Sequence, residues 1–230
     1  MGKRLLHYGL QRSGTNFLES LLKKNFSSKV LNSRKERNHP LQKHFRLYDD
    51  KTKIPESKYL NNYNYNSYDD FKKSWGLNTE INGVIVISKD PYSWLLSYEK
   101  WAKKCTWPTP NYNYIEEYNL FLNKWKDFAE QTNDIIFVKY IDLLVQPEIE
   151  LTKIENKFSL KRRWNTKRKG LKTELEKVKV SEKFTLDKKD FYIQKKYLED
   201  YNNTKLELIN SVIDKNLMEF LNYEFQYKTE

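Results

Sequence analysis

Two glycines separated by four residues, Gly9 and Gly14, have the spacing of a phosphate-binding loop. A β-prone segment, 3–8, precedes them, and apolar residues recur at helical spacing from Thr15 onward. Glycines allow the backbone to close around an anion, and the amide N–H groups at the start of the next helix then meet it. Arg12 adds a positive charge inside the loop. The pattern predicts binding of a phosphate or sulfate group, although turns of this kind often hold no ligand.

A second strand-to-helix turn carries another set of anion-binding side chains. Residues 84–88 form a continuous apolar run, typical of a strand buried on both faces of a parallel sheet. Lys89 follows, Pro91 suits the first turn of a helix, and Ser97 lies eight positions after the lysine. A basic residue at the strand end and a hydroxyl two turns into the helix can converge on one phosphate. The alternative is an ordinary turn with a surface serine.

The string Arg12-Ser13-Gly14-Thr15-Asn16 resembles the 5′-phosphosulfate-binding loop of sulfotransferases, the enzymes that use 3′-phosphoadenosine 5′-phosphosulfate (PAPS). Asn16 stands where the family more often has Thr. A nucleotide hydrolase of the Walker type would continue the second glycine with Lys and then Ser or Thr, the lysine reaching the outer phosphates. Because that lysine is missing, the loop argues against a P-loop nucleotide kinase, which stays open as an alternative.

The resemblance implies a second anchor for the 3′-phosphate of PAPS. It assigns this role to Lys89 and Ser97, with Lys89 in place of the family's usual arginine. A lysine keeps the charge but lacks the two-pronged geometry that matches phosphate oxygens. The tripeptide Arg168-Lys169-Gly170 resembles the family's Arg-Lys-Gly element, which closes on the 3′-phosphate, but the residues after it do not continue that pattern.

Sulfuryl transfer needs charge stabilisation and removal of a proton from the acceptor. The resemblance implies that Arg12 and the loop amides stabilise the leaving oxygen, and that no metal is required. His44 directly follows a lysine, as the family's acceptor-facing histidine often does, and we predict it to be the general base. His7 lies in the first strand and is expected to be packed, whereas His39 is expected in a loop. Glu19 or Asp49 are the alternative bases.

Strands alternating with helices predict the fold class. The pattern indicates strands at 3–8, 84–88 and 135–139, with helices from Thr15, from Pro91 and near 114–131. Such an order is typical of an α/β protein with a central, mostly parallel sheet flanked by helices on both faces. Together with the resemblance, it predicts one P-loop-containing, sulfotransferase-like domain over 1–230. Residues 32–78 are polar and are expected to form a long surface excursion.

Composition narrows the class of protein. The chain has 230 residues, 38% of them hydrophobic, and one cysteine, Cys105, which excludes an internal disulfide. The apolar runs are far shorter than the roughly 18 residues that a transmembrane helix needs. We therefore expect a cytoplasmic protein without a transmembrane segment. The formal charge of +11 favours anionic ligands in general.

The sequence thus predicts transfer of a sulfuryl group from PAPS to a hydroxyl or amine, with adenosine 3′,5′-bisphosphate as product. The acceptor is a small molecule or a glycan. A non-catalytic, nucleic-acid-binding protein is the other alternative, because seven of the thirteen residues in 161–173 are Lys or Arg. We do not expect nucleic acid as the partner. Oligomeric state and acceptor identity are left open.

Overall fold

The computed structural model describes residues 2–32, 39–47, 65–107, 109–110, 112–173, 177–179, 182–183 and 186–228. The strands are β1 (Arg4–Tyr8), β2 (Lys29–Val30), β3 (Gly83–Ser88), β4 (Ile135–Lys139), β5 (Lys177–Lys179) and β6 (Glu182–Lys183). The helices are α1 (Thr15–Asn25), α2 (Tyr68–Ser74), α3 (Pro91–Lys104), α4 (Tyr114–Gln131), α5 (Tyr140–Val145), α6 (Pro147–Phe158), α7 (Trp164–Lys169), α8 (Leu186–Ile193), α9 (Asn203–Val212) and α10 (Lys215–Leu221), with a 3₁₀ helix at Lys196–Asp200.

Strands β1 to β4 form one parallel sheet in the order β2-β1-β3-β4. In the register of the central pair, Leu6 lies opposite Val84. All three predicted strands are present, and β2 adds a fourth, short strand to the sheet. The predicted fold class, a central parallel sheet within an α/β protein, is confirmed. Strands β5 and β6 form a separate antiparallel pair.

Both faces of the sheet are covered because successive strand residues point to opposite sides. On β3, Val84 and Val86 belong to one apolar cluster, which includes residues of α3, α4, α9 and α10. Ile85 and Ile87 belong to the other cluster, which includes residues of α1, α5 and α6. The sheet therefore has helices on both faces. The loops that follow the strands lie at its carboxyl edge.

The expectation of a surface excursion over 32–78 is wrong for the described parts of that segment. Phe45 and Phe71 are fully buried and stack with their ring centroids 6.0 Å apart. On helix α2, Phe71 also contacts the ring of Trp125 of α4, and Tyr68 contacts the ring of Phe128 of the same helix, each with ring centroids 5.7 Å apart. Burial of these rings outweighs the polar composition of the segment, because each aromatic side chain removes a large apolar area from water. Residues 33–38 and 48–64 lie outside the described part.

The carboxyl-terminal part of the chain forms more, shorter helices than the two that the spacing predicts near 187–201 and 205–222. The first pattern is divided into α8 and the 3₁₀ helix, and the second is interrupted at Ile213 before Asp214 caps α10. Leu206, Ile209 and Leu217 are buried in the core.

None of the described helices combines the length and apolar character that crossing a membrane requires.

Candidate functional site

The strand order creates a crevice at the carboxyl edge of the sheet between β1 and β3. From β1 the chain proceeds to β2 on one side, whereas β3 lies on the other side and continues to β4. In open parallel sheets, ligands bind where the strand order reverses in this way. The loop 9–14 leaves β1 at this position, and Lys89 follows the end of β3. Both sequence-predicted anchors therefore flank the same crevice.

The two glycines of the loop are required by close contacts. A Cβ atom at Gly14 would lie 2.4 Å from the ring of Tyr140, and the residue has a φ of 98°, in the left-handed region. A Cβ atom at Gly9 would lie 2.6 Å from Ser13 Oγ and 2.8 Å from the backbone oxygen of Ile87. The loop thus lies directly against β3 and α5, and a larger residue at either position would displace it.

The loop has the properties of an anion-binding site. Gly14 occupies the N-cap of α1, so the first amides of the helix have no side-chain cap, and the first turn contains no acidic residue. Ser13 Oγ is buried and has no hydrogen-bond partner within the part of the chain that the structure describes. A buried hydroxyl without a partner is rare in proteins. An anion bound by the loop would supply one.

Lys89 and Ser97 lie in contact with each other, and their role as a phosphate anchor stays a prediction. Lys89 is 3% exposed, and its Nζ donates to Ser97 Oγ at 2.8 Å and to Tyr192 OH at 3.1 Å. The same ammonium lies 4.4 Å from the centre of the Tyr192 ring. Ser97 Oγ in turn donates to the carbonyl oxygen of Ser93 at 2.8 Å. The lysine and the serine therefore converge on one point, where a phosphate could join them.

Helix α3 connects the two anchors. Trp94 Nε1 donates to the carbonyl oxygen of Gln11 at 2.9 Å, which ties the loop to the helix. The guanidinium of Arg12 lies 5.4 Å from the centre of the Trp101 ring. Trp101 is four residues after Ser97 and so lies one turn away on the same helix face. Arg12 and the Lys89–Ser97 pair are therefore neighbours on one surface of α3.

A cavity of about 210 Å³ opens beside Lys89. Its walls include aromatic rings and ammonium groups, among them Tyr140, Tyr192, Tyr223, Lys139 and Lys195. Tyr140 and Tyr192 are perpendicular, with ring centroids 5.2 Å apart, and Tyr140 also contacts Gly14. Flat apolar walls with positive charge beside them suit an aromatic base that carries a phosphate.

His44 lies against the loop 9–14. Its Nδ1 is 2.6 Å from the carbonyl oxygen of Gly9, and the amide of Gly9 donates to the carbonyl oxygen of Lys43 at 3.1 Å. Because a carbonyl only accepts, Nδ1 carries the proton and Nε2 holds the free electron pair. This tautomer is the one that a base acting through Nε2 needs. The structure thus brings His44 to the predicted site, and its catalytic role stays a prediction.

Burial lowers the pKa of His44 to about 3, and the positive charges of Lys43 and Arg46 act in the same direction. The hydrogen bond with Gly9 opposes this shift. His44 is consequently neutral at physiological pH. An anion bound by the loop next to Lys43 would offset part of the Lys43 charge and raise the pKa of His44, which would make the imidazole a stronger base when the site is filled.

Two histidines of lowered pKa, the fully buried His7 and the half-buried His44, predict acid sensitivity. Burial is also the largest cause that lowers the pKa of His7, to about 4, whereas an unfolded histidine has a pKa of about 6.5. Between these values the unfolded chain binds protons that the folded protein does not. The free energy of unfolding should therefore fall as the pH drops from about 6.5 to 5, by roughly 1.4 kcal/mol per pH unit for each histidine.

Urea unfolding across this pH range measures the slope. The His44→Asn variant should show about half of the wild-type slope, because one of the two proton-binding groups is gone. A free energy of unfolding that does not change between pH 7 and 5 would contradict the lowered pKa values and the neutral state of these imidazoles.

The alternative carboxylate base, Glu19, lies in an ion-paired cluster. Its carboxylate is paired with Lys23, and Oε2 lies 3.4 Å from Lys43 Nζ. Burial by itself raises the pKa of Glu19, but the bond from Lys23 and the nearby charge of Lys43 bring it below its usual range. A carboxylate of low pKa is a weak base. Asp49, the other alternative, lies outside the described residues.

The remaining histidines lie where the sequence predicts. His7 is fully buried in β1, with Nδ1 3.0 Å from Asn32 Oδ1. His39 accepts a hydrogen bond from the amide of Leu41 in a turn. Neither contacts the loop 9–14 through any bond found among the described residues.

The Arg168-Lys169-Gly170 element is not brought together with the two anchors. Thr166 Oγ1 donates to the carbonyl oxygen of Asn25 at 2.9 Å, and the amide of Lys172 donates to Asn25 Oδ1 at 2.6 Å. Asn25 ends α1, a helix of 11 residues whose first turn meets the loop. At 1.5 Å per residue the element therefore lies about 16 Å along the helix from the loop. Its part in binding the 3′-phosphate stays a prediction.

We expect the Arg168→Ala/Lys169→Ala variant to bind adenosine 3′,5′-bisphosphate within about threefold of the wild-type affinity, because only screened, long-range charge is lost at this distance. Calorimetric titration at 0.15 M salt measures the effect. A loss of tenfold or more would show that the element moves to the bound ligand.

Two residues at the site were not identified from the sequence. Lys43 is buried and its Nζ donates to Asn16 Oδ1 at 2.6 Å, so it adds a cation beside the loop. Its position directly before His44 was the available signal. Tyr192 contacts Lys89 from a distant part of the chain, and its local pattern contains nothing that predicts this contact.

Within the described residues, no group of His, Cys, Asp and Glu is arranged to hold a metal ion.

Comparison with known proteins gives structural likeness only. No family model matches the chain, and no curated protein sequence matches it. One similar solved structure is the mouse sulfotransferase SULT7A1 complexed with PAP, with 9% identity, coverage of 91% of this chain and 88% of that chain, and a TM-score of 0.43. Another is a sulfotransferase from Alicyclobacillus acidocaldarius, with 9% identity, coverage of 97% of both chains and a TM-score of 0.46. Likeness at this level leaves the function of this chain to be inferred from its own residues.

Proposed function

We propose that this protein is a sulfotransferase that uses PAPS as sulfuryl donor. The observation that carries the proposal is the pair of anion-binding positions on either side of the β1–β3 crevice. The loop with Arg12 and Ser13 lies on one side, and the Lys89–Ser97 pair lies on the other. A nucleotide with phosphate groups at both its 5′ and 3′ positions presents two anions in this way.

The loop binds the 5′-phosphosulfate in this proposal. The amide of Ser13 donates to the carbonyl oxygen of Leu10 at 3.1 Å. The amides of Gly14 to Asn16 and the guanidinium of Arg12 would stabilise the negative charge on the oxygen that leaves sulfur. The Lys89–Ser97 pair binds the 3′-phosphate, and the cavity beside Lys89 provides aromatic walls for the nucleoside. Catalysis of this kind depends mostly on the position of the reactants and on electrostatic stabilisation.

His44 removes the acceptor proton in this proposal. The acceptor hydroxyl oxygen forms a bond to sulfur, the bond from sulfur to the phosphate oxygen breaks, and the hydroxyl proton moves to His44 Nε2. Adenosine 3′,5′-bisphosphate leaves with the electron pair of the broken bond. The Nδ1–H bond to the Gly9 carbonyl fixes the ring and keeps Nε2 able to accept the proton.

Calorimetric titration of the wild-type protein with adenosine 3′,5′-bisphosphate tests the proposal. We expect saturable binding without magnesium, and weaker binding of 5′-AMP, which lacks the 3′-phosphate. If the wild-type protein does not bind adenosine 3′,5′-bisphosphate, the proposed sulfotransferase function is wrong. Magnesium-dependent binding of ATP in its place would support a nucleotide kinase. A positive result would be followed by transfer assays with labelled PAPS against glycans, phenols and peptides.

The basic run near α7 supports a second candidate function, binding of nucleic acid. Trp164 is 71% exposed, and the guanidinium of Arg168 lies 5.9 Å from the centre of its ring. Exposed aromatic rings beside cations bind single-stranded nucleic acid by stacking and phosphate contacts. This function predicts strongly salt-dependent oligonucleotide binding that Trp164→Ala reduces, together with indifference to adenosine 3′,5′-bisphosphate.

A further inference from the structure

The side chain of Arg46 is fully buried and pairs with a fully buried carboxylate on α4. Its Nε donates to Glu117 Oε1 at 2.6 Å, and one terminal nitrogen lies 2.5 Å from the same oxygen. Tyr98 OH donates to the other oxygen of Glu117 at 3.4 Å. The guanidinium also lies over the ring of Phe121. The ion pair is thus closed off from water on the core side of the site.

The rest of the guanidinium reaches the two parts of the candidate site. One terminal nitrogen donates to the carbonyl oxygen of His44 at 2.9 Å, and the other donates to Gln11 Oε1 at 2.9 Å. Gln11 is also held through its carbonyl oxygen, which accepts from Trp94 Nε1. Gln11 directly precedes Arg12 in the loop. One side chain therefore connects the loop, the segment that carries His44 and helix α4.

A buried ion pair is a poor way to stabilise a fold. Removing two charges from water is costly, and well-packed apolar replacements of both partners are often neutral or stabilising. The planar guanidinium, in contrast, can donate in several fixed directions at once, which an apolar side chain or a lysine cannot do. The property that the Arg46–Glu117 pair provides here is geometry. Its hydrogen bonds join the backbone of His44 to the Gln11 side chain of the loop.

We propose that Arg46 and Glu117 are positioning residues that hold the His44 segment and the phosphate loop in one fixed arrangement. Glu117 orients the guanidinium, and the guanidinium orients the His44 carbonyl and the Gln11 side chain. Neither residue is proposed to touch the nucleotide. This inference rests on the proposed function, since it concerns the arrangement of the same site.

A charge-free double variant, Arg46→Met/Glu117→Leu, separates positioning from stability. We expect this variant to fold with a melting temperature close to that of the wild type, because both charges are removed together. Its affinity for adenosine 3′,5′-bisphosphate should fall at least tenfold, because the loop has lost its support. The matched control is Arg162→Met/Glu155→Leu, which removes another two-pronged Arg–Glu pair. This control should leave the affinity unchanged.

The Arg46→Lys variant keeps the charge opposite Glu117 but cannot reach Gln11 and the His44 carbonyl together. We expect the same tenfold loss of affinity. Because the positive charge next to His44 remains, a rise in the pKa of His44, measured by NMR, would report that the segment has loosened. The chain has three histidines, so His44 can be assigned by substitution. The NMR measurement needs no ligand.

The outcomes distinguish this inference from the proposed function. If the wild type does not bind the bisphosphate, the proposed function fails, and the pKa of His44 in Arg46→Lys still tests the positioning. If the wild type binds and both Arg46 variants bind equally well with an unchanged His44 pKa, the positioning role is overturned. If neither variant folds, the pair is needed for stability and the inference is overturned as well.

Discussion

Replacing Lys89 by alanine should weaken the binding of adenosine 3′,5′-bisphosphate by about 100-fold and leave the binding of 5′-AMP nearly unchanged. Lys89 is almost completely buried and its ammonium points to Ser97 Oγ. A hydrogen bond to a charged group contributes about 1.5–3 kcal/mol, and each 1.4 kcal/mol corresponds to a tenfold change in affinity. In the proposal Lys89 binds only the 3′-phosphate. The affinity for a ligand without that group should therefore not change in the Lys89→Ala variant.

Calorimetric titration with the two nucleotides measures the effect, and three further variants complete the experiment. Arg12→Ala should weaken both nucleotides, because the loop binds the 5′ group that they share. Ser97→Ala should cost about tenfold, as expected for one lost hydrogen bond from a neutral hydroxyl. Ser211→Ala is the matched control, since this exposed serine also donates to a carbonyl of its own helix. Equal losses for both nucleotides in Lys89→Ala would contradict the assignment of Lys89 to the 3′-phosphate.

Replacing Gly14 by alanine should abolish nucleotide binding and destabilise the protein by about 2–5 kcal/mol. The left-handed backbone conformation accounts for about 1–2 kcal/mol of this. The remainder comes from the contact of the new Cβ with the Tyr140 ring, which would lie 2.4 Å away, since overpacking typically costs about 1–3 kcal/mol. The ring can only move by displacing the loop or α5, so the anion-binding amides should lose their arrangement.

Gly76→Ala is a closely matched control for this substitution. Gly76 also has a positive φ, of 60°, but a Cβ atom there would meet no other atom within 4 Å. This variant should lose only the roughly 1–2 kcal/mol of backbone strain and should bind the bisphosphate normally. Urea unfolding and calorimetric titration of both variants give the comparison. Equal stability losses would show that the Tyr140 ring relaxes and that the contact with Gly14 does not hold the loop.

The local parts of the fold and site could be predicted from the sequence. Strands β1, β3 and β4 and the starts of α1 and α3 follow from apolar spacing, from glycine and from proline, because these signals act within a few residues. The same holds for Lys89 and Ser97. Their separation of eight residues, from a strand end into a helix, sets their distance through local backbone geometry alone.

Longer-range features could not be predicted in this way. The polar composition of 32–78 gives no sign that residues 39–47 pack against the loop 9–14. There, His44 contacts Gly9 and Arg46 contacts Gln11. The aromatic rings of α2 are buried because they pack against α4. The spacing of apolar residues within α2 does not indicate which helix it packs against. The basic tripeptide 168–170 lies at the far end of α1 because Thr166 and Lys172 bind Asn25, about 140 residues earlier in the chain.

The amino-acid sequence by itself determined the class of fold, the glycine-containing loop after β1 and the pairing of Lys89 with Ser97 beyond β3. Each of these depends on residues close together in the chain, where covalent geometry limits the possible distances. The tertiary structure alone decided that the predicted His44 packs against Gly9, in which tautomer its ring is held, and that a buried arginine joins its segment to the loop. Those properties arise from packing between distant segments, where burial and hydrogen bonding in three dimensions, and not spacing along the chain, set the arrangement.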